Sequence, residues 1–432
     1  MTSNFIDSKE YAQQLDSSDP LAEFRARFSI PKMPSGKQEV YLCGNSLGLQ
    51  GDLSRQYVED ELNKWGEFGV RGHFESDHPW MPYHEFLAPA AAKLVGANEN
   101  EVVSMNSLTA NLHFMMVSFY RPTASRNKIL IEEHAFPSDT YAVESQIKFH
   151  GFDPKECMLQ IAPREGEELI RDEDLLTLLE DQGEQIALVM LPGVQYYTGQ
   201  VMDMKTITKV AQDKGCKVGF DLAHATGNIP MQMHNWNVDF AVWCHYKYLN
   251  SGPGAVGGCF VHQNHHQDID MPRFAGWWGH DKSTRFKMGS EFHPIQSAEA
   301  WQLSNPPILS LASIRGASDI FMQAGGIEPL REKSIQLTNY MEFLLNKRLA
   351  DKIEIITPTN VEQRGCQLSI VISTDQPEQH LTGRQVFDGI ETAGVTADWR
   401  EPNVIRVAAV PLYNNFSDVY EFVEILEEYL TS

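Results

Sequence analysis

Short β-rich runs separated by longer helical stretches constrain this chain more than any other feature. The runs are Lys128–Glu132, Ile186–Leu191, Cys216–Phe220, Val238–Cys244 and Gly258–His262. Strands spaced by helices in this way predict a largely parallel sheet, because each crossover lays a helix across one of its faces. Ligands bind such sheets at the carboxyl ends of the strands. Asp221 ends one run and Lys247 lies just past the next. The expected class is α/β, with a mainly parallel central sheet flanked by helices in a large domain.

The first forty residues are polar with short amphipathic stretches and read as an arm. A helical pattern runs from Gly51 to Lys64, and Trp65–His73 reads as a loop. Asn305-Pro-Pro breaks the chain, since two prolines continue neither a helix nor a central strand. Beyond it lie a helical stretch from Ser310 to Asp351, strands at Leu368–Ile372 and Val404–Val410, and an acidic closing helix. The expected division is an arm over residues 1–50 that joins the small domain, a large domain over 51–309, and a smaller α+β domain over 310–432.

Composition excludes several classes of function. Lys and Arg number 35 against 58 Asp and Glu, a formal charge of -23. With no basic stripe, the chain repels a nucleic-acid backbone. An anionic ligand is still allowed, because screening confines the global field to roughly 8 Å. No apolar run reaches the ~18 residues of a membrane span, and the start lacks the apolar core of a signal peptide. Six scattered cysteines show no zinc spacing, so no metal site is expected. Together these features suggest a reduced, cytoplasmic chain.

Asp221 and Lys247 carry the chemistry. An acid opposite a pyridine nitrogen and a lysine that forms a Schiff base are the two groups a pyridoxal 5'-phosphate (PLP) enzyme requires. An acid after a strand also caps helices, so Asp221 has a plain structural reading as well. Lys247 sits in His245-Tyr-Lys-Tyr, where apolar and aromatic neighbours lower an amine's pKa and free it for imine chemistry. Tyr246 is placed to touch a phosphate or relay a proton, and His224 to position the cofactor.

Five further strings carry weaker signals or none. Asn106-Ser-Leu-Thr opens a helix whose free N–H groups and hydroxyls suit a phosphate, or form an ordinary cap. In Phe136-Pro-Ser-Asp the Phe suits an aromatic ligand, or a buried loop, and the Pro fixes the turn. Gly252-Pro-Gly-Ala-Val-Gly fits a dinucleotide fingerprint but precedes a strand where that motif must follow one. Gly44-Asn-Ser-Leu-Gly fits a serine nucleophile elbow without the upstream strands an elbow needs. Ser46 is better read as contacting substrate or cofactor. The pair His265-His266 reads as a solvated loop.

Taken together these strings resemble kynureninase, a family of fold-type I PLP enzymes. The resemblance runs from about Tyr41 to Glu424 and includes Gly193-Val-Gln-Tyr-Tyr-Thr-Gly-Gln, Gly219-Phe-Asp-Leu-Ala-His-Ala, Gly276-Trp-Trp-Gly-His, Ser304-Asn-Pro-Pro and Pro402-Asn-Val-Ile-Arg-Val-Ala. It implies that Lys247 holds PLP covalently, Asp221 holds the pyridinium and Phe136 stacks on the ring. Leu108 and Thr109 bind the phosphate. Pro137, Ser138, Asp139, His224 and Tyr246 complete the shell, and Tyr246 joins Lys247 and Asp221 in catalysis.

The same resemblance implies a homodimer, with Trp277 and Asn305 reaching the cofactor from the partner subunit. Arg406 would clamp the substrate carboxylate, with Ser46, His73 and Asn305 also facing the substrate. Pro192 departs from the Ser or Thr that contacts phosphate in other members. The implied reaction is hydrolysis of kynurenine or 3-hydroxykynurenine to alanine and the matching anthranilate, in tryptophan degradation and NAD synthesis. The rivals are a cysteine desulfurase (Cys366 is its one candidate nucleophile), an aminotransferase of the same fold, and a non-catalytic scaffold.

Overall fold

A computed structural model describes residues 5–373 and 381–431; residues 1–4 of the expected arm lie outside them. Seven strands form the large sheet: β1 (Val102–Met105), β2 (Lys128–Glu132), β3 (Met158–Ile161), β4 (Ile186–Pro192), β5 (Lys217–Asp221), β6 (Phe240–Cys244) and β7 (Gly257–Val261). Their order is β1-β7-β6-β5-β4-β2-β3. Every residue of β6 and β7 is buried, and almost every residue of β4 and β5. Helices cover both faces of these strands, so their sequences read as continuous apolar runs rather than alternating ones.

The five strands from β6 to β3 are parallel, whereas β7 runs antiparallel to both neighbours. No helix lies between Cys244 and Gly257, and without a crossover helix the chain returns beside β6 in the opposite direction. Strands β1 and β3 did not stand out in the sequence, each being four residues long.

Two helical expectations also shift. The helix Asp52–Phe68 continues through Trp65-Gly-Glu-Phe and stops at Gly69, which takes a positive φ of 53°. The stretch from Ser310 to Asp351 divides into helices Ile308–Gln323 and Ile327–Leu349 at Gly325 and Gly326, whose φ values are 94° and 85°. His265-His266 is not a solvated loop: His265 lies 2.8 Å from Asp239, and His266 is buried with its ring 2.9 Å from the Val261 carbonyl.

A second, antiparallel sheet holds β8 (Ile353–Ile355), β9 (Gln367–Ile372), β10 (Asp398–Arg400) and β11 (Val404–Ala408), in the order β10-β11-β9-β8. Its register sets Arg406 of β11 between Ser369 and Asp398. Helices Ile327–Leu349 and Phe416–Thr431 share its core, to which Ala12, Val40 and Leu42 of the N-terminal segment also belong.

Candidate active site

The carboxyl ends of β2, β4, β5 and β6 open onto one cavity of about 180 Å³. Leu108, Thr109, Phe136, Ser138, Asp139, Asp221, His224, Tyr246 and Lys247 line it, together with Pro192, Glu132 and Tyr196. Each reaches it for a local reason. Ser107 caps helix Leu108–Phe119 by accepting from the Ala110 N–H at 3.4 Å, and Leu108 and Thr109 of the first turn, where helix N–H groups lack intrahelical partners, line the cavity. Pro137 starts the next helix at its first position, where the missing N–H costs nothing, and sets Ser138 and Asp139 in the first turn.

Lys247 lies inside the cavity wall, with Nζ 2.9 Å from His224 Nε2 and 5.9 Å from the centre of the Phe136 ring. Burial lowers its pKa, which favours the neutral amine. Burial and the neighbouring Lys247 also hold His224 well below its ordinary range. His224 Nδ1 is buried without a partner. Burial raises the Tyr246 hydroxyl's pKa, so it stays protonated.

Three acids line the same cavity. Asp221 ends β5, 7% exposed, and Oδ1 accepts from the Ala223 N–H at 2.6 Å. Burial and the adjacent Asp221 hold Asp139 well above the carboxylate range. Glu132 ends β2, 2% exposed, and burial pushes its pKa up to about 8. Glu132 escaped the sequence reading, although an acid closing an apolar run is the same signal that Asp221 gave.

These residues fit PLP. A buried amine, an acid at a neighbouring strand end, an orphaned ring nitrogen, an aromatic ring and a helix start converge on one space of matching chemistry. Lys247 would hold the carbonyl carbon, Asp221 the ring nitrogen, and the helix start the phosphate. Pro192 brings no hydroxyl to that cradle.

The remaining expected residues lie elsewhere within the chain. Arg406 is 1% exposed; Nη2 donates to Asp398 Oδ2 at 2.7 Å and Nη1 to the carbonyl of Tyr196 at 2.5 Å. Ser46 sits in a turn whose Gly48 N–H donates to the Tyr246 carbonyl at 2.8 Å, beside Lys247. His73 packs edge-on against Trp80, 5.1 Å away, and does not line the cavity. Trp277 is 41% exposed and donates from Nε1 to the Arg285 carbonyl. Asn305 is exposed beside Pro306.

The class of molecule follows from fold and site: a fold-type I architecture with a lysine-bearing cavity at its strand ends. Solved structures share it. A cysteine desulfurase from Thermococcus onnurineus superposes with a TM-score of 0.74 at 15% identity, covering 93% of this chain and 98% of that one. A C-DES variant with glycine covalently linked to its PLP cofactor superposes with a TM-score of 0.74 at 16% identity, covering 93% and 98%. At such identities the likeness is one of fold.

Sequence narrows the class. The kynureninase C-terminal domain model matches residues 330–426. Kynureninase of Koribacter versatilis is 54% identical over 97% of both chains, that of Flavobacterium psychrophilum 52% over 98% of both, and that of Myxococcus xanthus 52% over 98% of this chain and 97% of its own. The chain belongs to the kynureninase family.

Proposed function

We propose that this enzyme uses PLP to hydrolyse the Cβ–Cγ bond of kynurenine or 3-hydroxykynurenine, adding one water to give alanine and anthranilate or 3-hydroxyanthranilate. The observation that carries this reading is the buried Lys247 amine, which shares one cavity with Asp221 and lies across Tyr196 from Arg406. PLP, when bound, supplies the electron sink that such a bond cleavage needs.

The chain's own groups do the rest. Arg406 takes the substrate α-carboxylate, which suits a planar guanidinium held on both sides. Lys247, released by the incoming substrate amine, removes the α-proton, and its lowered pKa suits that base role. Asp221 keeps the proton on the ring nitrogen. Phe136 supports the ring face, and His224 orients the Lys247 amine. Water adds to the side-chain ketone, the Cβ–Cγ bond breaks, Tyr246 gives its phenolic proton to Cβ, and the carboxylic acid formed at Cγ returns a proton to Tyr246.

Trp277 and Asn305 complete the pocket from the partner subunit of a homodimer, in keeping with their absence from the cavity lining within one chain, and His73 faces the aromatic end of the substrate. The reaction belongs to tryptophan degradation and NAD synthesis in the cytoplasm; among the described residues no helix is long and apolar enough to cross a membrane. Against a desulfurase stands Cys366, 1% exposed, with burial pushing its thiol up to about 12. A persulfide chemistry needs a mobile, ionisable thiol.

The deciding experiment incubates PLP-loaded protein with each substrate and measures alanine and the matching anthranilate. Equimolar products are expected. A PLP-bound protein that yields neither product from either substrate would refute the assignment.

A further inference from the structure

The turn Gln195–Gln200 has no role in the chemistry above. Its backbone carbonyls meet side chains of the second sheet and of Thr357, just past β8. The Tyr196 carbonyl accepts from Arg406 Nη1 at 2.5 Å and from Gln367 Nε2 at 3.0 Å. The Tyr197 carbonyl accepts from the Ser369 hydroxyl and from Gln367 Nε2 at 3.4 Å. The Thr198 carbonyl accepts from the Thr357 hydroxyl at 2.6 Å.

Two glutamines hold this junction. Inside the turn, Gln195 Oε1 accepts from the backbone N–H groups of Tyr197 at 2.6 Å and Thr198 at 2.8 Å. Its Nε2 donates to the His134 carbonyl at 3.3 Å and to Glu132 Oε1 at 3.5 Å, tying the turn to the cavity wall. From the other side, Gln367 Oε1 accepts from Asn45 Nδ2 at 3.2 Å, so the Gly44–Gly48 loop joins the same node. Gln195, Gln367 and Arg406 are all buried.

The geometry matters for Arg406. Left with Asp398 alone, a guanidinium pairs with the carboxylate through two N–H groups, the geometry a substrate carboxylate needs. Here only Nη2 reaches Asp398, whose other oxygen faces Arg400 Nε at 3.1 Å; Nη1 is drawn to the Tyr196 carbonyl, and Nε has no partner. We infer that the Gln195–Gln200 turn is a positioning element: Gln195 and Gln367 fix the Tyr196 carbonyl, which together with Arg400 on Asp398 keeps Arg406 from closing onto that carboxylate and leaves it presented to the substrate carboxylate. The inference rests on Arg406 being the carboxylate clamp.

The test titrates PLP-loaded protein with L-alanine and with ethylamine, which lacks the carboxylate, following the cofactor's absorption. Gln195→Leu and Gln367→Leu should each weaken alanine binding on the order of tenfold, the loss of a hydrogen bond to a charged group, and leave ethylamine unchanged. For kynurenine, KM should rise more than kcat falls. Arg406→Gln should abolish the preference for alanine over ethylamine altogether.

If Arg406→Gln keeps that preference, the clamp reading falls and this inference with it. If Arg406→Gln loses it while both glutamine variants keep wild-type alanine affinity, the clamp stands and the positioning role is overturned. Should Gln195→Leu fail to fold, Gln367→Leu decides alone, since it leaves the bonds within the turn intact.

Discussion

Glu132 shows how much one buried carboxyl changes. Its pKa rises from the ordinary 4.5 to about 8, first because burial penalises the charged form, with Gln195 opposing and Asp221 adding to the rise. A raised folded-state pKa means that its stabilising contribution is full below about pH 4.5 and drains away as pH climbs through 8. The slope over that window is about 1.4 kcal/mol per pH unit as an upper bound. Glu132→Gln should therefore leave the PLP-free protein's melting temperature unchanged near pH 4.5 and raise it at pH 8, as scanning calorimetry would register. At the same scale, Lys247→Ala should remove covalently held PLP and cut turnover by at least about 10⁴-fold. Far-UV circular dichroism should be unchanged, because the amine meets only polar His224 and the face of Phe136 at the cavity wall, and Lys247 belongs to no hydrophobic core.

Two glycines separate what elements tolerate from what they forbid. Gly66 lies inside helix Asp52–Phe68, and a Cβ there meets nothing within 4 Å. Gly66→Ala should stabilise by up to about 1 kcal/mol, since glycine loses more backbone entropy in a helix than alanine does. Gly258 sits on β7, where a Cβ would lie 2.0 Å from the fully buried Trp243 indole. Gly258→Ala should destabilise by about 1–3 kcal/mol through overpacking. Urea denaturation of the two variants checks the opposite signs. The helical period through Glu61 and Lys64 was legible, but Gly66 looked like a stop because propensity alone ignores the packing of this helix on Ile308–Gln323, where Gly316 abuts the Leu53 backbone. Direction was illegible too: a five-residue apolar strand reads the same in either sense, so nothing in the sequence marked β7 as the antiparallel member of a mainly parallel sheet.

Across the whole molecule, the proposed homodimer makes a sharp prediction. Lys247→Ala and Trp277→Ala subunits should each be inactive or nearly so. Mixed and re-equilibrated in equal amounts, they should recover about a quarter of wild-type activity, since half the dimers are hybrids and each hybrid has one site with both native residues. Activity that stays at the level of the separate variants would show that each chain builds its site alone. The exposed Trp65, Val70, Phe74, Phe286 and Met288 supply apolar surface on segments neighbouring Trp277 and His73, as a subunit contact requires.

The sequence by itself determined the α/β class, because strand and helix periodicities are local, and it marked Asp221 and Lys247, because an acid at a strand end and a lysine among aromatics are visible in one dimension. It also marked Phe136 and the helix start at Leu108, whose turn and capping residues are contiguous. Only the tertiary structure decided that Glu132 and Asp139 crowd Asp221, that Tyr196 offers Arg406 its carbonyl, and that Gln367 of the second sheet reaches the turn that Gln195 braces. Those contacts join residues up to 210 positions apart. Nothing in the local pattern at either end encodes the meeting; burial and hydrogen-bond satisfaction in the folded chain do.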